Sequence, residues 1–145
     1  MSEPLRLAVK LLHTGARLPE RATPGASGFD LYACLEGDLA IGQEPVRVPT
    51  GIAIEAPLGL DVQIRPRSGL SSRGVMAAFG TIDPDYRGEL LVTMFVLPYR
   101  GPHAVRNGDR IAQLVISHLA DAELYAAEEL SGTARSAGGH GSTGR

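Results

Sequence analysis

The stretch LLVTMFVL, residues 90–97, decides the class of fold, because almost every side chain in it is apolar. An apolar run of this length predicts a β-strand buried on both faces rather than a helix. A second stretch, LDVQIR at residues 60–65, alternates apolar and polar side chains. Such alternation is typical of a strand with one face in the core and the other partly solvated.

Outward from these two stretches, the chain continues to favour short strands. We predict strands at residues 5–12, 29–34 and 110–118, two strand pieces within residues 46–56, and a loop or single helical turn at residues 66–74. The chain carries 18 glycines and 10 prolines among 145 residues, which interrupt helices and supply turns. Residues 120–130 stay open between a helix and irregular structure. The predicted class is all-β, a jelly-roll-like sandwich or barrel.

Composition excludes several functions. The length of 145 residues fits one domain, and the net charge of −2 argues against a nucleic-acid binder or a polybasic membrane module. No apolar run approaches the roughly 20 residues of a membrane-spanning helix. The start of the sequence does not resemble a signal peptide, so we expect a cytoplasmic protein. A single cysteine, Cys34, excludes an internal disulfide and a cysteine-rich zinc site.

The composition changes near the end of the chain. Residues 131–145, SGTARSAGGHGSTGR, consist mostly of glycine, serine and threonine and contain little to bury. We expect a β domain at residues 1–130 and a flexible C-terminal arm at residues 131–145.

Three segments carry candidate chemistry. In Pro66-Arg67-Ser68-Gly69, a guanidinium, a hydroxyl and an accessible glycine N–H suit a phosphate oxygen, although an ordinary surface turn has the same composition. In residues 80–88, GTIDPDYRG, Asp83 fits either a turn-capping carboxylate or one that orients a water. In the arm, Arg135 and the glycines of residues 138–144 could wrap a polyanion, or form a plain low-complexity tail.

With residues 26–33, ASGFDLYA, and residues 108–115, GDRIAQLV, these segments form five motifs in a fixed order. The set resembles the homotrimeric dUTPases, deoxyuridine triphosphate nucleotidohydrolases, over most of the chain. The resemblance implies a jelly roll in which three subunits share three active sites. It also implies hydrolysis of dUTP to dUMP and pyrophosphate, which limits uracil in DNA and supplies dUMP for dTMP synthesis.

By this resemblance, Asp83 is the catalytic residue, which orients or deprotonates the water that attacks the α-phosphorus. Mg²⁺ is the implied cofactor, bridging phosphate oxygens, and Asp30 holds it indirectly through water. In the main domain, the residues that would bind the phosphates of dUTP are Arg67, Ser68, Gly69 and Gln113.

The resemblance also indicates which residues bind the base and the sugar of dUTP. Backbone groups of a tight hairpin at residues 77–82 would read uracil and exclude cytosine and thymine. The residues concerned are Ala77, Gly80, Thr81 and Ile82. Tyr86 would lie under the sugar and exclude a ribose 2′-hydroxyl, and Leu91 would line the pocket.

The arm supplies the remaining substrate-binding residues, Arg135, His140, Gly141, Ser142 and Thr143. Arg135 and the two hydroxyls would bind the γ-phosphate. Three positions depart from the family pattern. An alanine, Ala77 or Ala78, stands where many bacterial members have asparagine, and Ser136 replaces a common glycine of the arm. His140 stands where a phenylalanine usually stacks on uracil. Imidazole offers less stacking area and takes up a proton in mild acid, which predicts weaker, pH-sensitive closure.

Two alternatives remain. The dCTP deaminases share the fold and the trimer, but Thr93 stands where that family places a catalytic glutamate. A non-catalytic nucleotide-sensing jelly roll is the other, and the presence of Asp83, Tyr86 and Arg135 argues against it.

Overall fold

The computed structural model describes residues 3–141 and residue 144 and contains strands and one short helix. In chain order the elements are β1 (Ala8–Leu11), β2 (Gly28–Tyr32), β3 (Leu39–Ile41), β4 (Val46–Pro49), β5 (Ile52–Glu55), β6 (Leu60–Arg65), α1 (Ser68–Ser71), β7 (Val75–Ala77), β8 (Gly80–Ile82), β9 (Leu91–Val96), β10 (His103–Val105) and β11 (Arg110–His118).

All the strand pairs in the described part of the chain are antiparallel. The largest sheet has four strands in the order β2-β11-β6-β8, and a second has three in the order β4-β9-β7. The pairs β1-β5 and β10-β3 complete the sandwich. This architecture confirms the predicted all-β class.

The core lies on one face of the four-stranded sheet. In β6, Leu60, Val62 and Ile64 are buried while the intervening residues are half-buried, as the alternation predicted. Each large apolar side chain removed from water stabilises the fold by about 1.5–3 kcal/mol. The largest fully buried side chains come from all four sheets and from the loop before β9: Leu31, Ile41, Ile52, Leu90, Met94, Ile111, Val48, Val62, Val75, Val92 and Val105.

Strand β9 differs from its prediction. Val92, Met94 and Val96 are buried, but Thr93 and Phe95 are only half-buried and Leu91 is 37% exposed. The prediction that both faces are buried was therefore wrong for this chain. The reason is that β9 is the middle strand of a sheet that rests one face on the core.

The segment after β11 has no regular structure. Leu119 still donates its backbone N–H to the carbonyl of Gly59 at 2.9 Å, but residues 120–130 are exposed and form neither helix nor strand. The open choice at residues 120–130 is thus resolved as irregular structure. No helix in the described part of the chain is long and apolar enough to cross a membrane.

Candidate active site

The first group of polar side chains lies on the outer face of the four-stranded sheet. Gln113 of β11 pairs with Asp30 of β2 on one side and with Arg65 of β6 on the other. Residues that pair across neighbouring strands point to the same face. The prediction that Asp30 and Gln113 belong to one site therefore has a structural basis, although their roles remain predictions.

Two arginines surround the carboxylate of Asp30, which is only 8% exposed. The Nε of Arg67 lies 3.3 Å from one oxygen, and an Nη of Arg110 lies 3.8 Å from the other. An Nη of Arg67 also donates to the carbonyl of Arg110 at 3.4 Å. Two guanidinium groups against one carboxylate leave a net positive charge, which suits an anion such as phosphate.

A β-bulge brings Arg110 to this group. The register between β11 and β2 shifts between Arg110 and Ala112, so that Ile111 and Ala112 are both buried. Bulges are common beside active sites, where they redirect a side chain. The sequence prediction did not include Arg110, because simple alternation along β11 does not reveal the shift.

The loop after β6 presents the other predicted phosphate-binding residues. Arg67 directly precedes α1, and Ser68 and Gly69 are exposed at its start. A cavity of about 230 Å³ opens beside them, lined by Arg67, Leu70, Arg73, His103, Asp109, Arg110 and Ile111. Burial, and then Arg100 and Arg73, lower the pKa of His103, opposed by Asp109. The lowered pKa favours the uncharged form of the imidazole beside these arginines.

The second group surrounds Asp83. The backbone N–H of Tyr86 donates to the carbonyl of Asp83 at 3.1 Å, which closes a turn over Pro84 and Asp85. Among the side-chain hydrogen bonds of the described residues, none involves the Asp83 carboxylate. The carboxylate is exposed and does not act as a turn cap. It lines a cavity of about 190 Å³ with Thr81, Ile82, Tyr86, Glu89, Leu90 and Leu91.

Contacts beyond the motif fix the shape of this turn. Arg87 donates to the carbonyl of Pro84 at 2.6 Å and pairs with Glu55 of β5 at 3.1 Å. Tyr86 donates its hydroxyl to the carbonyl of Glu89 at 2.8 Å. A Cβ on Gly88 would lie 2.5 Å from that hydroxyl, so glycine makes room for the ring. Arg87 and Glu55 were not predicted, since nothing in the sequence indicates that two residues so far apart meet.

The predicted hairpin at residues 77–82 is wrong in its pairing. Strand β7, which ends at Ala77, pairs with β9, whereas β8, which begins at Gly80, pairs with β6. The backbone N–H of Ala78 still donates to the carbonyl of Thr93 at 2.8 Å. The chain therefore crosses from one sheet to the other at residues 78–79. Phe79, which was not predicted, is 70% exposed at this crossing.

The C-terminal arm forms only local contacts within the described residues. The Nε of Arg135 donates to the carbonyl of Gly138 at 2.7 Å, and Arg135, His140 and Gly141 are exposed. Ser136 and His140 both have φ of 51°, in the left-handed region that favours glycine. Ser142 and Thr143, the two predicted hydroxyl ligands, lie outside the described residues.

The two main groups do not meet within one chain. Gln113 pairs with Arg65, and β8 lies two strands away from β11, on the far side of β6. Asp83 follows Ile82, which pairs with Val62, and so lies level with Asp61. Gln113 and Asp83 are therefore four residues apart along the strand direction and two strands apart across the sheet. With ordinary strand spacings this corresponds to a distance of about 16 Å. The two groups therefore lie at separate places on the sheet within one chain.

The donor groups fit Mg²⁺ only through water. The described residues contain no cluster of three carboxylate, histidine or cysteine groups that would bind a metal ion directly. Both oxygens of Asp30 already face guanidinium groups. This fits an ion whose direct ligands are phosphate oxygens and water, which is the habit of Mg²⁺.

Known proteins share this fold and sequence. Residues 14–144 match the dUTPase family model. The deoxyuridine 5′-triphosphate nucleotidohydrolase of Hydrogenobaculum sp. (strain Y04AAS1) is 47% identical over 144 residues, which cover 97% of this chain and 99% of that protein. A variant of the Staphylococcus bacteriophage 80alpha dUTPase, solved with dUpNHpp, has a TM-score of 0.79 and 28% identity over 97% of this chain and 99% of that chain.

A variant of the dUTPase from phage phi11 of S. aureus, described for its coordination of a structural Mg(II) ion, has a TM-score of 0.75. It is 26% identical over 86% of this chain and 98% of that chain. The fold places the chain among the jelly-roll-like β-sandwich proteins. Within that class, the chain belongs to the dUTPase family.

Proposed function

We propose that this chain hydrolyses dUTP to dUMP and pyrophosphate, the activity for which the dUTPase family is named. The observation that carries the mechanism is the Asp83 carboxylate, which is exposed at a small cavity beside Thr81 and Tyr86. An ionised carboxylate with no competing side-chain partner is suited to accept a hydrogen bond from water. Asp83 orients this water toward the α-phosphorus and takes up its proton.

The charge of the triphosphate is met by the group around Asp30. Arg67 provides a bidentate fork, while Ser68 and the N–H of Gly69 donate at the exposed start of α1. Gln113 donates from the sheet face toward the α-phosphate. Mg²⁺, when bound, neutralises phosphate charge and favours departure of pyrophosphate. Asp30 would hold the ion through its bound waters.

The base is read by the backbone of β8. This strand lies at the edge of its sheet, so its backbone groups on the side away from β6 have no strand partner in the described part of the chain. The backbone groups of residues 80–82 that point away from β6 are therefore available to the uracil edge, and Ala77, three residues before Gly80, is buried. Cytosine would leave these groups unpaired.

The sugar lies against Tyr86, whose hydroxyl is tied to the Glu89 carbonyl. With the hydroxyl fixed, the ring cannot move aside for a ribose 2′-hydroxyl. Leu91, at the rim of the same cavity, contributes apolar surface.

Residues 131–145 act as an arm that closes over the bound nucleotide. Arg135, Ser142 and Thr143 bind the γ-phosphate, and His140 and Gly141 cover the base. Exposure of the described part of the arm and its purely local hydrogen bonds support this role, because such a segment is free to engage a ligand. Closure excludes water other than the attacking one.

The functional unit is a homotrimer with shared sites. The separation of about 16 Å between Asp83 and Gln113 supports this arrangement, because a site shared between subunits can combine the Asp83 of one chain with the Gln113 of another. Residues 119–130 add a second argument. Leu124, Tyr125 and Leu130 are 83–96% exposed on an irregular segment, which is unusual unless another chain covers them. Sedimentation of the purified protein tests the trimer directly.

The proposal places the protein in the cytoplasm, where dUTP hydrolysis limits uracil in DNA and supplies dUMP. The deciding experiment incubates the purified protein with dUTP and Mg²⁺ and measures pyrophosphate. In ¹⁸O-labelled water the label is expected in dUMP, since attack is at the α-phosphorus. Label found only in pyrophosphate would refute the mechanism. Ammonia released from dCTP would indicate a deaminase, and binding without turnover a nucleotide sensor.

A further inference from the structure

Gly28 leaves no room for a side chain beside Gln113. Gly28 pairs with Val115 and Asp30 pairs with Gln113, so Gly28 and Gln113 are diagonal neighbours on the same outer face. A Cβ built on Gly28 would overlap the Oε1 of Gln113 and would lie 2.9 Å from both its Cβ and its Cδ. Carbon atoms in favourable contact are about 3.5–4.0 Å apart. The Gln113 side chain therefore lies directly against the backbone of Gly28.

The other end of the Gln113 amide is also fixed. Its Nε2 donates to the carbonyl of Pro66 at 3.0 Å, and Pro66 immediately precedes Arg67. An amide nitrogen has two hydrogens, so one N–H remains for another acceptor. The amide is thus held between the backbone of β2 and the start of the phosphate-binding loop, and its second N–H has no partner among the described residues.

The requirement at position 28 is for space rather than for backbone freedom. The φ of Gly28 is not positive, unlike that of Gly25 or Gly51, so an alanine can adopt this backbone. What an alanine cannot do is share the volume that Gln113 occupies. The adjacent Asp30 and its arginines restrict where the displaced amide can go.

We propose that Gly28 is a positioning residue for the reaction. Because Gly28 has no side chain, the Gln113 amide can lie against its backbone, and in this position the second N–H of the amide reaches the α-phosphate. The inference rests on the proposed hydrolysis of dUTP. It concerns the orientation of one donor and not the stability of the sheet.

The first test is Gly28→Ala. A hydrogen bond to a charged group is worth about 1.5–3 kcal/mol, which corresponds to about 10- to 150-fold in rate. We expect kcat to fall by about this factor, with a smaller change in KM, because most of the triphosphate contacts remain. The matched control is Gly37→Ala, since Gly37 is exposed, has no positive φ and has no atom within 4 Å of an added Cβ. This control should retain the wild-type kcat.

The second test asks whether the loss acts through Gln113. In a Gln113→Gly background the side chain that meets the added Cβ is absent, so Gly28→Ala should lower neither kcat nor the melting temperature further. If Gly28→Ala alone does not fold, a double variant as stable as Gln113→Gly supports the steric argument, and a double variant that is also unfolded overturns it. An equal loss of kcat in both backgrounds also overturns it.

The third readout needs no activity. The chain contains three glutamines and one asparagine, so its side-chain amide signals in a ¹⁵N NMR spectrum are few and assignable. Gly28→Ala should shift the Gln113 amide and leave those of Gln43 and Asn107 in place. An unshifted Gln113 amide with full activity refutes the inference, whereas an inert wild-type protein would refute the proposed function instead.

Discussion

Replacing Asp83 with asparagine separates catalysis from binding and folding at this site. The substitution keeps the size and shape of the side chain but removes the negative charge that accepts a proton from water. The turn at residues 83–86 depends on the carbonyl of Asp83 and not on its side chain, and asparagine is as common as aspartate in turns. The carboxylate is exposed and has no side-chain hydrogen bond in the described part of the chain. We therefore expect the free energy of unfolding to change by less than about 0.5 kcal/mol.

The effect on turnover should be far larger. General-base catalysis contributes about 10²- to 10⁴-fold, so kcat of Asp83→Asn should fall by that factor. Affinity for dUTP with Mg²⁺, measured by calorimetric titration, should change little, because the arginines around Asp30 do not contact this turn. Pyrophosphate release under saturating dUTP gives kcat. The matched control is Asp85→Asn, an exposed carboxylate in the same turn, which should leave kcat within about twofold of wild type.

Three results would refute this reasoning. If Asp83→Asn retains more than about a tenth of the wild-type kcat, the carboxylate is not the base. If Asp85→Asn lowers kcat equally, turnover depends on the total negative charge of the turn and not on the Asp83 carboxylate in particular. If dUTP binding is lost in parallel with kcat, Asp83 binds substrate and another group handles the water.

Three further predictions concern the arm and the arginine-lined cavity. Deleting residues 134–145 should lower kcat/KM by at least about tenfold with an unchanged melting temperature, because the described arm makes only local contacts; a parallel loss of stability would make the arm structural. His140→Phe should lower KM through a larger stacking area and flatten its dependence on pH, and identical pH profiles would refute this. Burial, then Arg100 and Arg73, lower the pKa of His103 below its ordinary value of about 6.5. The folded protein thus binds fewer protons there than the unfolded chain, and the resulting stability is present above about pH 6.5 and lost as pH falls toward the lowered pKa. The melting temperature of His103→Gln should therefore fall less than that of the wild type between about pH 7 and 5. An equal fall in both proteins would contradict the lowered pKa of His103.

Local periodicity explains what the sequence predicted correctly. The alternation in LDVQIR reappears residue by residue in the burial of β6, because a strand turns successive side chains to opposite faces. The short strands β3, β7, β8 and β10 were missed individually, since three residues are too few for a periodic pattern. The fold class still followed, because it depends on the longer strands and on the turn residues between them.

Strand pairing and site geometry depend on contacts between residues that are far apart in the sequence, and a local sequence pattern does not reveal them. The family resemblance implied a hairpin at residues 77–82, yet the backbone of Ala78 stays with β9 while Gly80 joins β6. The pairs Asp30–Arg67 and Glu55–Arg87 likewise join residues more than thirty positions apart. The resemblance to a family indicated Asp30 and Arg67 as site residues, but only the fold shows that they touch.

If sites are shared between subunits, two inactive chains should restore each other's activity. Asp83→Asn removes the base and Arg67→Gln removes the phosphate fork, and the strand register keeps these two groups apart within one chain. When the variants are refolded together at equal amounts, a site is intact if its Asp83 comes from one variant and its Arg67 from the other. In a symmetric assembly each condition is met half the time, so about a quarter of the wild-type activity should return. Each variant refolded alone is the control. A mixture no more active than the separate variants would mean that both groups serve a site from the same chain, and the shared-site arrangement would then be wrong.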